Sequence, residues 1–203
     1  GKTAVAVFRE KTPLGLIAMR DEPRKDAAEA VRQLKDMGVA PVILTGDNPR
    51  TAAAIAGGLG MEFQADMMPE DKLTAIRDMS EHGGVMMIGD GINDAPALAA
   101  ADLGVAIGSG TDVARAASDV TLVGGALSGI GTAIDLSNAT LRNVRQNLFL
   151  AFAYNVVLIP LAAGAFYPWT GWTLNPMLAG CAMAASSVSV VMNALRLRSF
   201  GKG

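Results

Sequence analysis

Short apolar runs and amphipathic segments alternate along the first 126 residues. The apolar and alternating runs predict β-strands at residues 1–8, 16–19, 39–44, 85–88, 103–107 and 120–122. Apolar residues at three- and four-residue steps predict helices at residues 27–37, 49–59, 69–81 and from residue 95 onwards. Residues 12–15 include Pro13 and Gly15, so they predict a turn between the first two strands. Strands that alternate with helices in this way predict an α/β fold with a doubly wound parallel sheet.

A different pattern begins at residue 127. Residues 127–146 predict a helix that runs directly into an apolar region, and no Asp, Glu, Lys, Arg or His occurs between Arg145 and Arg196. Residues 147–167 and 176–195 each have about the ~20 residues needed to cross a hydrocarbon core. Two such uncharged spans in succession favour a transmembrane hairpin over the alternative, a buried hairpin of a soluble protein. We therefore predict an α/β domain at 1–126, and a connecting helix with a membrane hairpin at 127–203.

The charges around the two apolar spans predict their orientation. Basic residues flank the outer ends of both spans, while the loop between them is uncharged and contains Trp169 and Trp172. The flanking residues are Arg142, Arg145, Arg196, Arg198 and Lys202. By the positive-inside rule, both ends of the hairpin should face the cytosol.

Composition narrows the possible functions. The chain is 51% hydrophobic, its net charge is only −2, and it has two Trp and two Tyr. It lacks the basic, aromatic surface of a nucleic-acid-binding protein, so we exclude nucleic acid as a partner. The single cysteine, Cys181, excludes an internal disulfide framework and a Cys-only zinc site. We expect Cys181 to be a small buried apolar residue and His82, the only histidine, to lie at the surface.

Polar motifs follow two of the predicted strands, and ligands of α/β sheets bind at the carboxyl ends of strands. The first motif offers a hydroxyl from Thr45 and close backbone approach at Gly46, and Asp47 and Asn48 can cap the next helix or touch substrate. Lys72, at the start of a later helix, could neutralise phosphate charge, although such a lysine is more often solvated.

The second motif, at residues 89–94, packs two carboxylates, an amide and two glycines into one turn. Asp90, Asn93 and Asp94 offer hard oxygen ligands of the kind that suit Mg²⁺. The alternative is a structural turn in which one aspartate caps a helix. The position of the turn directly after a buried strand favours a phosphate and magnesium site.

The order of these motifs resembles the haloacid dehalogenase superfamily, and TGDN at 45–48, MPEDK at 68–72 and GDGINDAPAL at 89–98 resemble P-type ATPases. The resemblance implies that Thr45, Gly46 and Lys72 hold the phosphoryl group and that Asn93 contacts phosphate. We also assign Asp47 to cofactor binding. The resemblance also implies that Asp90 coordinates Mg²⁺ with Asp94 close by, and that Asp21 braces the site. The phosphorylated aspartate of that family lies in an Asp-Lys-Thr-Gly-Thr sequence, which does not occur here. We therefore expect the chain to be the C-terminal part of a longer polypeptide, with the end of a nucleotide-binding domain at its start, and to be inactive alone.

Polar side chains within the two spans are candidates for metal binding, because such groups are costly at bilayer depth. Tyr154 and Asn155 lie midway along the first span, and Met183, Ser186 and Ser187 share the second. A thioether suits Cu(I), and amide and hydroxyl oxygens can assist it. The alternative is that these residues only pack the helices.

Tyr-Asn in the first span and Met-x-x-Ser-Ser in the second resemble the copper-selective class of heavy-metal P-type ATPases. The resemblance implies ATP-driven export of Cu(I) through an aspartyl phosphate, with Mg²⁺ and ATP as cofactors. It implies as partners membrane lipid, the N-terminal part of the same polypeptide and a cytosolic copper chaperone. From the compact ending after Arg198 we expect a bacterial inner membrane. The alternatives are a membrane-anchored phosphatase, a transporter of another metal such as zinc, and a phosphate- and Mg²⁺-binding module without catalysis.

Overall fold

The computed structural model describes residues 3–19, 22–90, 92–108, 112–171 and 175–201. Asp21, Gly91, Trp172 and Lys202, which carried parts of the predictions above, lie outside these residues. The chain divides into two units, Gly1–Gly131 and Thr132–Gly203.

The first unit alternates strands and helices over most of its length. Its strands are β1 (Thr3–Arg9), β2 (Thr12–Met19), β3 (Val42–Leu44), β4 (Glu62–Gln64), β5 (Met86–Gly89), β6 (Leu103–Ile107) and β7 (Val120–Leu122). Its helices are α1 (Ala27–Asp36), α2 (Pro49–Leu59), α3 (Pro69–Ser80), α4 (Ala95–Ala100) and α5 (Asp112–Ala116), with a 3₁₀ turn at Ile92–Asp94. Helix α1 ends as predicted, because Gly38 adopts a left-handed conformation with φ of 80° just beyond it.

The strands after α1 pair in parallel, which confirms the predicted α/β class. Strand β3 pairs with β4, and β6 lies between β5 and β7. The hydrogen-bonded strands therefore form two parallel groups of two and three strands. In both groups the carboxyl ends of neighbouring strands meet at the same edge, where the predicted polar motifs lie.

The turn predicted at residues 12–15 is wrong. These residues belong to β2, which pairs antiparallel with β1, and the turn instead contains Glu10, whose φ is 58°. Pro13 pairs with Phe8 beside an irregularity in the register. Proline is tolerated there because a two-stranded ribbon leaves strand edges free and the register shift relaxes the need for a proline N–H.

The core of the first unit lies between α3, α4, α5 and β5. One cluster of buried apolar residues there consists of Ile76, Met87, Ala97, Leu98 and Ala114, and Leu98 is only 1% exposed. Gly104 of β6 lies against the backbone of α4, and a Cβ at this position would be only 2.5 Å from the Leu98 carbonyl oxygen. This close approach sets α4 directly on the sheet, and α4 begins at the polar motif that follows β5.

The second unit consists mainly of two long apolar helices, α6 (Ser128–Ala162) and α8 (Pro176–Leu195), of which the first begins within the first unit. A short helix α7 (Tyr167–Thr170) lies between them, and a 3₁₀ turn at Arg196–Ser199 follows α8. Both long helices are long and apolar enough to cross a membrane, with mean hydropathies of 1.3 and 1.6 in their most apolar windows. The helix predicted over residues 127–146 does continue into the apolar region, and Pro160 lies inside it.

Three asparagines join α6 and α8. The side-chain amide of Asn143 donates to the Asn193 carbonyl (2.6 Å), and that of Asn193 donates to Asn147 Oδ1 (2.9 Å). Asn147 in turn donates to Asn143 Oδ1 at 3.1 Å. Asn143 is only 7% exposed, so its polar atoms depend on this network for hydrogen bonds.

Candidate phosphate and metal sites

The first polar loop follows β3 and is held by its own hydrogen bonds. The Thr45 hydroxyl donates to Asp47 Oδ2 at 3.0 Å and accepts from the Asp47 amide at 3.1 Å. The backbone of Thr45 is fixed by Gln64 and Met67, which lie on the neighbouring chain segment. A Cβ on Gly46 would be 3.2 Å from the Met67 carbonyl oxygen, so this position favours glycine. The loop thus holds a hydroxyl and a bare backbone position at the carboxyl end of the strand.

Asn48 caps the helix that follows this loop. Its Oδ1 accepts from the amides of Arg50 (3.1 Å) and Thr51 (3.0 Å), and Pro49 occupies the first helical position. Of the two roles considered for Asn48, the structure shows the cap. Asp47 instead turns back to Thr45, and both Asp47 and Asn48 are exposed.

The second polar loop follows β5 and is tied to α3. Lys72 Nζ lies 2.8 Å from Asp94 Oδ1, and their side chains are only 15% and 16% exposed. A Cβ on Gly89 would be 2.9 Å from Asp94 Cβ and 3.0 Å from Asp94 Oδ2. The missing side chain at Gly89 therefore makes room for Asp94, and Lys72 fixes the direction in which its carboxylate points.

Asp90 and Asn93 are exposed at this same strand end. The structure therefore brings together Lys72, Asp94 and the backbone of Gly89, and leaves the Asp90 carboxylate and the Asn93 amide facing solvent. The roles predicted for these residues, and for Thr45, Gly46 and Asp47, stay predictions.

The residues after β5 fit Mg²⁺ by their donor chemistry. Mg²⁺ is typically bound through one or two carboxylates, with water and phosphate oxygens completing its shell. Asp90 offers an exposed carboxylate and Asp94 a second one with an oxygen already held by Lys72. Among the described residues no group of three or more His, Cys, Asp or Glu is arranged to hold a metal by itself. A magnesium site with only two carboxylates, completed by phosphate oxygens, agrees with the absence of a larger ligand group among the described residues.

The candidate metal ligands of the second unit lie on α6 and α8. Met183 is 64% exposed, Asn155 and Ser187 are exposed, and Tyr154 and Ser186 are partly buried. The Asn155 amide donates to the Ala151 carbonyl (2.9 Å), and the Ser187 hydroxyl donates to the Met183 carbonyl (3.2 Å). Each of these polar groups thus bonds to its own helix, and their joint role in metal binding stays a prediction.

Two side chains outside these sets were also assigned positions from the sequence. His82 is exposed, as expected, and its Nδ1 lies 2.8 Å from the Asp78 carbonyl. The expectation that Cys181 is buried is wrong, because the thiol lies on an exposed face of α8. The apolar face that Cys181 was expected to pack into is itself open along much of α8, where Met177 and Val188 are also exposed.

Sequence reasoning missed the asparagine network of the second unit. The spacing of Asn143 and Asn147 by four residues, just before a charge-free span, is a signal that could have indicated it. Asn193 lies near the end of the other span, and nothing in the sequence pairs it with them. The pairing of Lys72 with Asp94 was likewise not predicted, although both residues were assigned to the site.

A family model described as haloacid dehalogenase-like hydrolase matches residues 1–102. With the parallel α/β fold and the loops after β3 and β5, this match shows that the chain belongs to the haloacid dehalogenase-like hydrolases.

The whole chain also resembles one class of transporter. It is 54% identical, over 98% of its length, to "Probable copper-transporting ATPase PacS" of Synechococcus elongatus, and 48% identical, over 98%, to "Copper-exporting P-type ATPase" of Legionella pneumophila. It spans about a quarter of the length of these relatives, 27% in both cases. The predicted resemblance to P-type ATPases is therefore confirmed.

Solved structures agree with the sequence comparison. The crystal structure of a zinc-transporting PIB-type ATPase in the E2.Pi state superposes with a TM-score of 0.83 at 45% identity, covering 97% of this chain and 32% of that one. The match is to the C-terminal portion of such ATPases. With two helices able to span a bilayer, the chain is part of a membrane protein.

Proposed function

We propose that the chain is the phosphate-handling and last membrane-helix portion of an ATP-driven exporter of Cu(I) that works through an aspartyl phosphate. One observation carries the proposal. The Lys72–Asp94 pair, packed against the bare backbone of Gly89, lies in a chain that continues into two uncharged apolar spans with an amide and a thioether in mid-span.

The proposed phosphoryl transfer uses the loops after β3 and β5. The Thr45 hydroxyl, the Gly46 amide and the Lys72 ammonium donate to oxygens of the transferred phosphoryl group, where charge accumulates during transfer. Mg²⁺ held by Asp90, with Asp94 beside it, would neutralise charge on the same oxygens. Asp94, partly buried beside Lys72, keeps the ammonium in place for its phosphate.

The nucleophile in this proposal is an aspartate on the upstream part of the same polypeptide. Strand β3 has its hydrogen-bonded neighbour β4 on one side, and β5 has β6 on one side, so each has a second edge able to accept another strand. A strand ending in the nucleophilic carboxylate would bring it to the edge at which Thr45 and Asp90 lie. Parallel pairing places that carboxylate at the same end as the phosphate donors.

Copper is favoured over zinc by the chemistry of α6 and α8. Met183 offers a soft sulfur, and Tyr154, Asn155, Ser186 and Ser187 offer neutral oxygens, with no ionisable Asp, Glu, His or Lys between Arg145 and Arg196. Thioether sulfur selects Cu(I), whereas a hard or borderline divalent ion is better held by imidazole or carboxylate. A zinc-transporting relative at 45% identity makes zinc the alternative to test.

The proposed export function also implies an orientation in the membrane and a cytosolic partner. The basic residues at both outer ends of the hairpin favour a cytosolic phosphorylation domain and C-terminus. The bacterial relatives support placing the chain in a bacterial inner membrane. Cu(I) would then reach the membrane helices from the cytosol, delivered by a copper chaperone.

The test is Met183→Leu in the full-length polypeptide, with Met192→Leu as the matched control. Both methionines lie on α8 and are equally exposed, at 64% and 65%. Leucine conserves volume, so each change should alter stability by less than ~1.5 kcal/mol. We expect Cu(I)-stimulated ATP hydrolysis in membranes to fall at least ~10-fold for Met183→Leu, because a soft ligand is lost, and to stay within about twofold for the control.

Three results would contradict the proposal. Equal stimulation of ATP hydrolysis by Cu(I) in both variants would show that Met183 packs the helices and does not bind the metal. Stimulation of the unmodified protein by Zn²⁺ but not Cu(I) would assign zinc as the cargo. Phosphate release that is independent of any metal cargo, without a phosphoenzyme, would favour a membrane-anchored phosphatase.

A further inference from the structure

A groove of 440 Å³ lies in the second unit, where α6 approaches the end of α8. Three arginines line it, together with two large apolar residues and one of the network asparagines: Arg142, Arg145, Arg196, Phe149, Leu150 and Asn193. Arg142, Arg145 and Phe149 are three and four residues apart on α6, so they form one stripe along the helix, and Leu150 is next to Phe149. Basic side chains and apolar side chains thus meet on a single face.

The arginines have no carboxylate partner in the groove. No salt bridge among the described residues involves Arg142, Arg145 or Arg196. The only acidic residue of the second unit, Asp135, borders a neighbouring depression that Arg142 and Arg145 also line, and it forms no salt bridge with either arginine. Three arginine side chains therefore border the groove without a salt bridge among the described residues.

One member of the asparagine network, Asn193, lines the groove. Arg196 donates from its guanidinium to Asn193 Oδ1 at 3.2 Å. Asn193 is itself fixed, because its side chain donates to Asn147 and its carbonyl accepts from the buried Asn143. Arg196 is thus anchored by a residue that the network holds in place, and one guanidinium of the groove is positioned before any ligand arrives.

The groove also lies at the right depth for a lipid headgroup. Arg142 and Arg145 are the last charged residues before the apolar span of α6, and Arg196 is the first after the span of α8. Phe149 and Leu150 lie one to two turns further into the span of α6, and Phe149 is 72% exposed. A ligand that fills the groove must be anionic at one end and apolar at the other.

We propose that this groove binds one anionic phospholipid, with its phosphate on the three arginines and an acyl chain along Phe149 and Leu150. Guanidinium groups match phosphate in geometry and charge. A free phosphate would satisfy the arginines but would leave the apolar side of the groove uncovered. The proposal depends on the membrane location of the helices and not on the identity of the transported metal.

The experiment measures phospholipid binding to the full-length polypeptide in detergent by native mass spectrometry. Phosphatidylglycerol and phosphatidylcholine are titrated in parallel at moderate and high ionic strength, since high salt screens diffuse attraction more than a built site. The test variant is Arg142→Gln with Arg145→Gln, and the matched control is Arg198→Gln, at the same helix end but outside the groove.

We expect the unmodified protein to bind one phosphatidylglycerol more tightly than phosphatidylcholine at both ionic strengths. The double variant should lose about 25-fold in affinity for phosphatidylglycerol, at about fivefold per arginine. Arg198→Gln should change it by less than about twofold. If the double variant misfolds, Arg145→Gln alone should lose about fivefold, and Arg145→Lys should recover most of that loss.

Four results would overturn the proposal. An equal loss with Arg198→Gln would mean diffuse positive charge, without a site. No preference for phosphatidylglycerol in the unmodified protein would mean that the groove is closed, including closure by another part of the polypeptide. Displacement of the lipid by millimolar inorganic phosphate would make it a soluble-phosphate site. Unchanged binding in a folded Arg145→Gln protein would remove the arginines from the interaction.

Discussion

Replacing Gly89 with alanine should disturb the proposed phosphate site through a single added methyl group. The new Cβ would lie 2.9 Å from Asp94 Cβ, which is ~0.6–1.1 Å short of the optimum for two carbon atoms. Asp94 must then move, and its 2.8 Å contact with Lys72 must lengthen or break. Overpacking of this kind costs ~1–3 kcal/mol of folding free energy. A displacement near 1 Å at a catalytic site can also cost up to about 100-fold in rate.

The assay compares ATP turnover and phosphoenzyme formation in the full-length polypeptide with its thermal unfolding. Gly84→Ala is the matched control, because a Cβ at Gly84, near the start of the same strand, meets no atom within 4 Å. We expect Gly89→Ala to lower turnover ~10- to 100-fold and to lower the melting temperature, and Gly84→Ala to leave stability within about ±0.5 kcal/mol. Turnover within twofold of the unmodified protein, with a melting temperature equal to that of Gly84→Ala, would refute the reasoning.

Three further changes test separate parts of the first unit. Lys72→Met keeps the side-chain length but removes the cation beside Asp94, so phosphoenzyme formation from ATP should fall ~100-fold or more; near-normal formation would remove Lys72 from the site. Asn48→Ala removes the cap of α2 and should cost about 1 kcal/mol, read as a lower melting temperature; no change would mean that the cap contributes nothing. Ser80→Ala removes a buried hydroxyl that has no hydrogen-bond partner among the described residues. The melting temperature should hold or rise by the equivalent of about 1 kcal/mol, and a clear fall would show that the hydroxyl is satisfied.

The fold class was predictable because its elements carry strong periodic signals. Helix α3 and the apolar helix α8 begin and end within a residue of their predictions, since Pro69 and Pro176 mark their first turns and apolar spacing marks the rest. Strands β6 and β7 were predicted at the residues where they occur, because each is a short apolar run between polar loops.

Other elements could not be predicted because their residues carry no such signal. Strand β4 is three exposed residues, Glu62–Gln64, and exists only because β3 offers it a parallel edge. The hairpin between β1 and β2 turns at Glu10, which has none of the usual turn composition. Helix α5 is five residues long, too short for an apolar period to show.

Some features of the candidate site could likewise be predicted from the sequence, and others could not. Its residue types and their place at strand ends could be predicted, because the motifs are local in sequence. The contact between Lys72 and Asp94 joins residues 22 positions apart, so it follows from the packing of α3 against the turn after β5. The dependence of Asp94 on the absence of a side chain at Gly89 is a packing property of the same kind.

Pro160 lies inside α6 and determines which residue must be mutated to test one backbone carbonyl of the membrane region. Proline has no N–H, so the carbonyl of Val156, four residues earlier and next to Asn155, receives no hydrogen bond from residue 160. An unpaired carbonyl in hydrocarbon is costly until water, a side chain or a cation satisfies it. Substituting Val156 cannot test this oxygen, because every side chain at that position leaves its carbonyl in place. The substitution that tests this oxygen is Pro160→Ala, because alanine would restore the missing backbone N–H donor.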